Sequence, residues 1–262
     1  MDEGTIRRIK QAVRGNFDDS PDSYAQLEER YGFFTKLNDI LFSRITLPEG
    51  ALVLDAGCGT GASSVRILRT IPGSQVWGLD NSAAMLEKAR ATLGESDRLR
   101  FVEGDAAKLD EYFDFPFDAV IYSASIFLVP DYMESLQSAK KLLKDGGCVG
   151  LTFMDGILTP DGKNALALAE KDANVGLSLK RPVDPMEFHA RFASIFKVRT
   201  WNEDFMLPDE QLRDFFTVPA MSAGLFPKLP YEERARKVAT LFEHMPKGPR
   251  FFRWLFMVGE NK

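Results

Sequence analysis

The sequence predicts an α/β fold, a mostly parallel sheet with helices on both faces, and three observations carry the prediction. Strand-length apolar runs alternate with helix-length amphipathic runs through residues 50–155, which is the pattern of consecutive βαβ units. Residues 51–61, Ala-Leu-Val-Leu-Asp-Ala-Gly-Cys-Gly-Thr-Gly, run an apolar strand into an acid and three alternating glycines. Acids recur at or just past strand ends, as Asp55, Asp80 and Asp105. That arrangement lines carboxylates along the sheet edge where open α/β sheets bind ligands.

The elements follow in order. Leu52, Val53 and Leu54 suit a strand buried on both faces, so Asp55 emerges at its carboxyl end. Gly57, Gly59 and Gly61, with Cys58 between them, permit positive φ and carry no Cβ, so the backbone can turn sharply and touch a ligand. A helix from about Thr60 to Thr70 aims its amino end at the same place. Gln75 to Leu79 is a second strand ending at Asp80 and Asn81, and Ser82 caps a helix to about Leu93. Leu99 to Glu103 is a third strand, leading to Gly104-Asp105-Ala106. Phe117 to Tyr122 is a fourth and delivers Ser123 to the same edge. Asp131 to Lys144 reads as a helix, Gly146-Gly147 as a turn, and Cys148 to Phe153 as a fifth strand. Lys197 to Asn202 and Phe251 to Val258 are the sixth and seventh.

The glycine loop suits a nucleoside-bearing cofactor, and two classes use such a loop. Gly57, Gly59 and Ala62 satisfy the dinucleotide pattern GxGxxA, which keeps an NAD-dependent oxidoreductase open. Asp55 favours the other class, because a carboxylate beside the glycines repels a pyrophosphate and suits a ligand carrying an ammonium group, as S-adenosylmethionine does. Asp80 is placed to accept hydrogen bonds from both ribose hydroxyls. Asp105 is placed to accept one from an adenine amino group.

Five segments fall in one order: Val53-Leu54-Asp55-Ala56-Gly57-Cys58-Gly59-Thr60-Gly61, Gly78-Leu79-Asp80-Asn81-Ser82 with Met85, Gly104-Asp105-Ala106, Phe117-Asp118-Ala119-Val120, and Leu143-Lys144-Asp145-Gly146-Gly147. Together they resemble the class I S-adenosylmethionine-dependent methyltransferases, specifically the small-molecule branch that includes the ubiquinone and menaquinone enzymes. The resemblance implies a Rossmann-like, seven-stranded sheet whose seventh strand is antiparallel. It also implies that the glycine loop packs under the methionine part, with Asp55 near its amino group, Asp80 on the ribose and Asp105 on the adenine. Cys58, Asn81, Ala106 and Ser123 complete the expected cofactor contacts, and the product would be S-adenosylhomocysteine. Asp145-Gly146-Gly147 reads as a structural turn and Met85 as core.

Three regions are expected: an N-terminal helical lid over residues 1–46, the cofactor-binding core over 47–158, and over 159–262 the completion of the sheet with helical, substrate-binding insertions. The lid contains a helical run with Leu27, Tyr31, Phe34, Leu37, Ile40 and Leu41 at helical spacing. Similarity to quinone-type enzymes implies that it folds over the cofactor, with Tyr24, Tyr31 and Phe34 as the aromatic candidates for touching ligand. Arg7-Arg8-Ile9-Lys10 with Arg14 reads as the solvated face of a first helix. The last region holds a helix near Asp161 to Asn174, the segment Arg181-Pro182-Val183-Asp184-Pro185, and a short helix through Phe188 and Phe192. The long helical insertion between strands six and seven includes Phe215-Phe216, Leu225-Phe226-Pro227 and a helix from Tyr231 to about Glu243. Its Phe, Met and Pro content predicts an apolar, adaptable pocket.

Composition narrows the function. The 262 residues are 45% hydrophobic, enough for one domain with embellishments, and no apolar run approaches the ~18 residues of a membrane span. The first residues lack a signal-peptide pattern, so cytoplasmic residence is expected. Cys58 and Cys148 are the only cysteines and have no partners at metal spacing, so neither a metal nor a disulfide is expected. A net charge of −5 without a basic block argues against nucleic acid. Oligomeric state is not readable from the chain.

The chemistry expected is one in-line displacement at a sulfonium methyl, where positioning supplies up to ~7 to 11 kcal/mol and a base is needed only if the acceptor must lose a proton first. His189 and His244, the only histidines, and Tyr24 are the candidates for such a role, and nothing in the sequence selects one. Where many relatives carry a histidine after strand four, this chain reads Tyr122-Ser123-Ala124-Ser125-Ile126-Phe127-Leu128, with Phe127 at the corresponding position. No Asn-Pro-Pro-Tyr or Asp-Pro-Pro-Tyr run is present for amino-methylation of DNA or protein glutamine, and two cysteines are too few for arsenic methylation. A small, apolar acceptor methylated on carbon, oxygen or nitrogen remains. The alternatives are a protein that binds S-adenosylmethionine for another transfer or for regulation, and the oxidoreductase above.

Overall fold

The computed structural model describes residues 1–179 and 183–261, so Arg181-Pro182 lies outside the described residues. The sheet has seven strands: β1 (Leu52–Ala56), β2 (Gln75–Asp80), β3 (Leu99–Glu103), β4 (Phe117–Tyr122), β5 (Leu143–Leu158), β6 (Lys197–Phe205) and β7 (Phe251–Glu260). Their order is β3-β2-β1-β4-β5-β7-β6. The pairs β1/β2, β1/β4, β2/β3 and β4/β5 are parallel, and β7 is antiparallel, as expected. The helices around it are α1 (Glu3–Asp18), α2 (Pro21–Tyr31), α3 (Phe33–Phe42), α4 (Ala62–Thr70), α5 (Ala83–Leu93), α6 (Tyr132–Leu142), α7 (Ala165–Ala173), α8 (Pro185–Ile195), α9 (Asp209–Thr217), α10 (Pro219–Leu225) and α11 (Tyr231–Glu243).

Strand order reverses between β1 and β4, which makes their carboxyl ends the switch point of the sheet. Both strands are buried on two faces, with Val53, Leu54, Ala119, Val120, Ile121 and Tyr122 all inaccessible, as their unbroken apolar runs require. In the parallel register Ala56 lies opposite Leu79 and Asp80 opposite Glu103. The tips of β1 and β2 are thereby adjacent. Gly78 sits there because a Cβ would fall 2.8 Å from the Cys58 Sγ and the Phe101 ring. Ser82 caps α5 by accepting from Met85 N at 3.1 Å, and Met85 is core.

Three boundaries differ from the sequence expectation. The N-terminal helical run is two helices, α2 and α3, separated by Gly32 at φ 57°. The Glu28 carboxylate accepts from Phe34 N and Thr35 N, each at 2.8 Å, and so replaces the missing cap of α3. The helix expected to reach Lys144 stops at Leu142, because Leu143 already pairs with Phe117. Gly146 and Gly147 therefore lie within β5, at an irregularity that shifts register between Phe117 and Ala119, rather than in a turn ahead of it. The helix expected from Asp161 starts at Ala165, where Asn164 accepts from Ala167 N at 3.0 Å.

Chain contacts divide the described residues into two units, 1–153 with 183–201 and 256–261, and 154–179 with 202–255. In the first, α8 buries Phe188 and Phe192, which stack on each other and make tilted ring contacts with Tyr132, Phe153 and Phe196. In the second, Phe215, Phe216, Phe252 and Trp254 form a cluster of edge-to-face and tilted rings. The phenylalanines of the insertion thus build that unit's own core. Arg253 holds Asp204 through two bonds of 2.7 Å, and Lys237 donates to Val175 O at 2.6 Å. Among the described residues no helix is long and apolar enough to cross a membrane.

Candidate cofactor and acceptor site

The glycine loop is held by its backbone. Gly57 N and Cys58 N donate to Leu79 O at 2.7 and 3.1 Å, and Gly61 N donates to Cys58 O at 2.9 Å. Gly57, Gly59 and Gly61 all have positive φ, at 79°, 53° and 86°, yet they serve differently. A Cβ on Gly57 would lie 2.5 Å from Ser125 Cβ, and one on Gly61 2.5 Å from Leu93 Cδ1. These two glycines let the loop close onto the segment after β4 and onto α5. A Cβ on Gly59 would meet no atom within 4 Å, because it would project into open space.

Asp80 clamps this loop. Its Oδ2 accepts from Gly59 N at 2.8 Å and its Oδ1 from Ser82 N at 2.9 Å. Burial raises its pKa, opposed by those backbone bonds. Each carboxylate oxygen keeps a further lone pair for a ligand donor.

Asp55 lies deeper, fully buried. Its Oδ2 accepts from Ser63 Oγ and Ser64 Oγ, both at 2.6 Å, at the start of α4. Its Oδ1 has no hydrogen-bond partner among the described residues. Burial pushes its pKa up to about 6, against the two serine bonds, with the nearby Asp80 charge adding to the rise. Asp55 and Gly61 stand behind the cavity wall, whereas Gly57, Cys58, Gly59, Asp80, Asn81, Asp105, Ala106 and Ser123 line it.

The cavity contains about 870 Å³ of space between atoms, part of it open to solvent. Three helices of the N-terminal region contribute wall residues: Lys10, Val13 and Phe17 from α1, Tyr24 from α2, and Phe34 and Asn38 from α3. Tyr24 stacks on Phe34 with ring centroids 4.7 Å apart and planes at 13°, and Phe17 leans on Tyr24 at 6.4 Å. Tyr31, an equal candidate from sequence, instead carries the Arg30 guanidinium 4.9 Å above its ring. Lys10 is a correction. It is only 20% exposed and pairs with Asp105 and Asp131, so the basic cluster is not simply a solvated face. Its spacing with Val13 and Phe17 puts all three on one helix face, which is the signal that could have revealed them. Asp105 also caps the following 3-10 turn, accepting from Ala107 N at 2.9 Å.

The segment after β4 supplies the remaining wall. Ser125 Oγ donates to Ala56 O at 2.6 Å, and Ala124 N donates to Thr152 Oγ1 at 2.8 Å. Ala124 is held at φ 54°, a left-handed conformation uncommon outside glycine. Phe127 packs on Phe153 at 5.2 Å, and it is Leu128, Val129 and Pro130 that face the cavity. The apolar character expected from Phe127 is therefore delivered by its neighbours.

The three candidate bases sit in different settings. His189 lies on α8, and among the described residues it is not part of the cavity wall. His244 belongs to the second unit, exposed at the end of α11 with Nδ1 2.9 Å from Thr240 O. Tyr24 does line the cavity, and burial together with the Glu28, Asp80 and Asp55 charges keeps its phenol protonated. The buried Cys58 thiol is likewise pushed up by burial and by the Asp55 and Asp80 charges. Among the described residues no cluster of His, Cys, Asp and Glu is arranged to hold a metal.

Residues 53–147 match the family described as methyltransferase domain. The trans-aconitate 2-methyltransferase of Enterobacter sp. (strain 638) is 34% identical over 120 residues, 46% of this chain and 46% of that protein. The demethylmenaquinone methyltransferase of Staphylococcus aureus (strain JH9) is 33% identical over 102 residues, 38% of this chain and 42% of that protein. The chain thus matches less than half the length of these relatives. Among solved structures, Haemonchus contortus phosphoethanolamine N-methyltransferase 2, in complex with phosphomonomethylethanolamine and S-adenosylhomocysteine, shares the fold with a TM-score of 0.56 at 19% identity, covering 86% of this chain and 52% of that one.

Proposed function

From a chain whose residues 53–147 are a class I S-adenosylmethionine-dependent methyltransferase domain, we propose an enzyme that methylates a small, apolar molecule and releases S-adenosylhomocysteine. The observation that carries this reading is the pairing of Gly59 with Asp80: a glycine whose missing Cβ leaves ligand space, donating to a carboxylate at the tip of the next strand. A sulfonium nucleoside fits these residues. Asp80 would hold the ribose hydroxyls, Asp105 and Ala106 the adenine, and the loop the methionine end, with the Asp55 carboxyl, bonded to two serines through Oδ2 alone, supplying negative potential toward its ammonium group. When bound, the cofactor supplies an electrophilic methyl group.

The protein's own contribution is placement. Val13, Phe17, Phe34, Leu128, Val129 and Pro130 line the cavity and would hold an apolar molecule against the loop. Among the described wall residues the titratable groups are already committed, Lys10 and Asp105 to each other, Asp80 to backbone amides, and Tyr24 and Cys58 in their neutral forms. Catalysis by orientation, up to ~7 to 11 kcal/mol, is what this wall supports. Residence in the cytoplasm is part of the proposal and agrees with two free, buried thiols.

Calorimetric titration with S-adenosylhomocysteine, with NAD as control, tests the cofactor. Micromolar binding of the first alone is expected. An NAD signal without it would replace this reading by an oxidoreductase, and cofactor binding with no methylated product on any acceptor would leave a binding protein.

A further inference from the structure

Asn38 is a polar residue of the cavity wall that the chemistry above does not use. It is fully buried in α3 and lines the cavity. Its Nδ2 donates to Phe34 O at 2.9 Å, which fixes the amide orientation, since the flipped form would bring two oxygens together. Its Oδ1 is the free end, with no hydrogen-bond partner among the described residues. A buried acceptor without a donor is unfavourable unless something brings one. The residue it bonds, Phe34, is the one stacked on Tyr24, and all three line the same cavity.

The charges around the cavity decide what can approach. Asp80 and Asp105 line it, and its cation, Lys10, is already bonded to Asp105 and Asp131. A polycarboxylate would face the two acids, and the lysine beside them already serves Asp105 and Asp131.

Resting on the methyltransferase reading, we propose that Asn38 is a specificity-determining residue of the acceptor site. It selects a neutral molecule that presents an O–H or N–H donor on an aromatic or apolar frame, and the site rejects polycarboxylates such as trans-aconitate. The Oδ1 of Asn38 accepts that donor, and the Tyr24–Phe34 stack holds the frame.

The test uses the full chain saturated with S-adenosylhomocysteine and isosteric probe pairs with and without the donor, indole against benzofuran and phenol against fluorobenzene, titrated calorimetrically. The donor-bearing member is expected to bind about tenfold tighter or more, and trans-aconitate not to bind. Asn38→Leu, close in volume, should bring each pair to parity while the S-adenosylhomocysteine affinity stays unchanged. Parity in every pair with the wild-type chain, including no binding by either member, overturns the proposal, as does discrimination that survives Asn38→Leu or preferential binding of trans-aconitate. A drop in S-adenosylhomocysteine affinity in Asn38→Leu would also overturn it by making Asn38 a cofactor contact. The wild-type pairs stand whether or not the variant folds. Failure of the wild-type chain to bind S-adenosylhomocysteine at all is read before any probe is added, and it removes the methyltransferase reading itself.

Discussion

Lys10 places its ammonium 2.6 Å from Asp105 Oδ2 and also bonds Asp131 at 2.5 Å, so the first helix is fastened to the loop expected to hold the adenine. Burial opposes the Lys10 charge, and the two carboxylates outweigh it and raise its pKa. Lys10 therefore stays charged throughout the neutral range.

Removing that cation leaves Asp105 and Asp131 facing each other. Lys10→Met is expected to weaken S-adenosylhomocysteine binding by ~1 to 2 kcal/mol, the scale of a partly buried pair. Wild-type affinity should fall as sodium chloride rises, and the variant should lose much of that salt dependence. Equal affinities and equal salt slopes would show that the clasp does not form the site.

Asp55 gives a pH signature. Its folded pKa, about 6, lies above the ordinary 3.8, so the folded state holds the proton more tightly than the unfolded chain. Stability from this group is present below pH 3.8 and is lost as pH rises through about 6, a penalty of up to ~3 kcal/mol at neutral pH. Asp55→Asn should raise Tm at neutral pH and flatten its decline between acid and neutral conditions. The same variant should bind S-adenosylhomocysteine more weakly at neutral pH, and wild-type affinity should weaken as the solution is acidified below the Asp55 pKa. A pH-independent wild-type affinity would remove Asp55 from the ammonium site.

Asp80→Ala deletes a charged acceptor and releases Gly59 N and Ser82 N. Hydrogen bonds to charged groups are worth ~1.5 to 3 kcal/mol, so cofactor affinity should fall by roughly ten- to a hundredfold in a titration. An unchanged Kd would end the ribose assignment.

The loop glycines should separate in a paired experiment. Gly57→Ala drives its Cβ to 2.5 Å from Ser125 and should lower Tm strongly. At Gly59 the only structural cost is a side chain at φ 53°, ~1 to 2 kcal/mol, so Gly59→Ala should fold and still lose cofactor affinity, and Gly59→Val should lose more. Thermal melts and calorimetry on the variants check both halves. A Gly59→Val protein that binds normally would mean the ligand lies elsewhere.

Local patterning was enough to read the sheet and the edge at which its strand tips gather. Unbroken apolar runs such as Leu52 to Leu54 suit strands buried on both faces, and glycines between a strand and a helix leave the chain few ways to turn, so β1 to β4 and the glycine loop between β1 and α4 were legible locally. Tertiary structure alone decided what depends on partners distant in the chain. Lys10 reads as a surface cation until Asp105 and Asp131 are brought beside it, Asn38 reads as one polar residue of a helix until its oxygen is buried at a cavity wall, and the burial of Asp55 behind the loop becomes visible only once Ser63 and Ser64 close on it. The glycine pair kept its turn conformation, with Gly146 at φ 76°, but the pairing of Leu143 with Phe117 set it inside β5 rather than ahead of the strand. Periodicity records which face of an element is apolar. Burial of a charge or an amide is settled only by the groups that other segments set around it, because its cost or gain depends on whether they supply a partner.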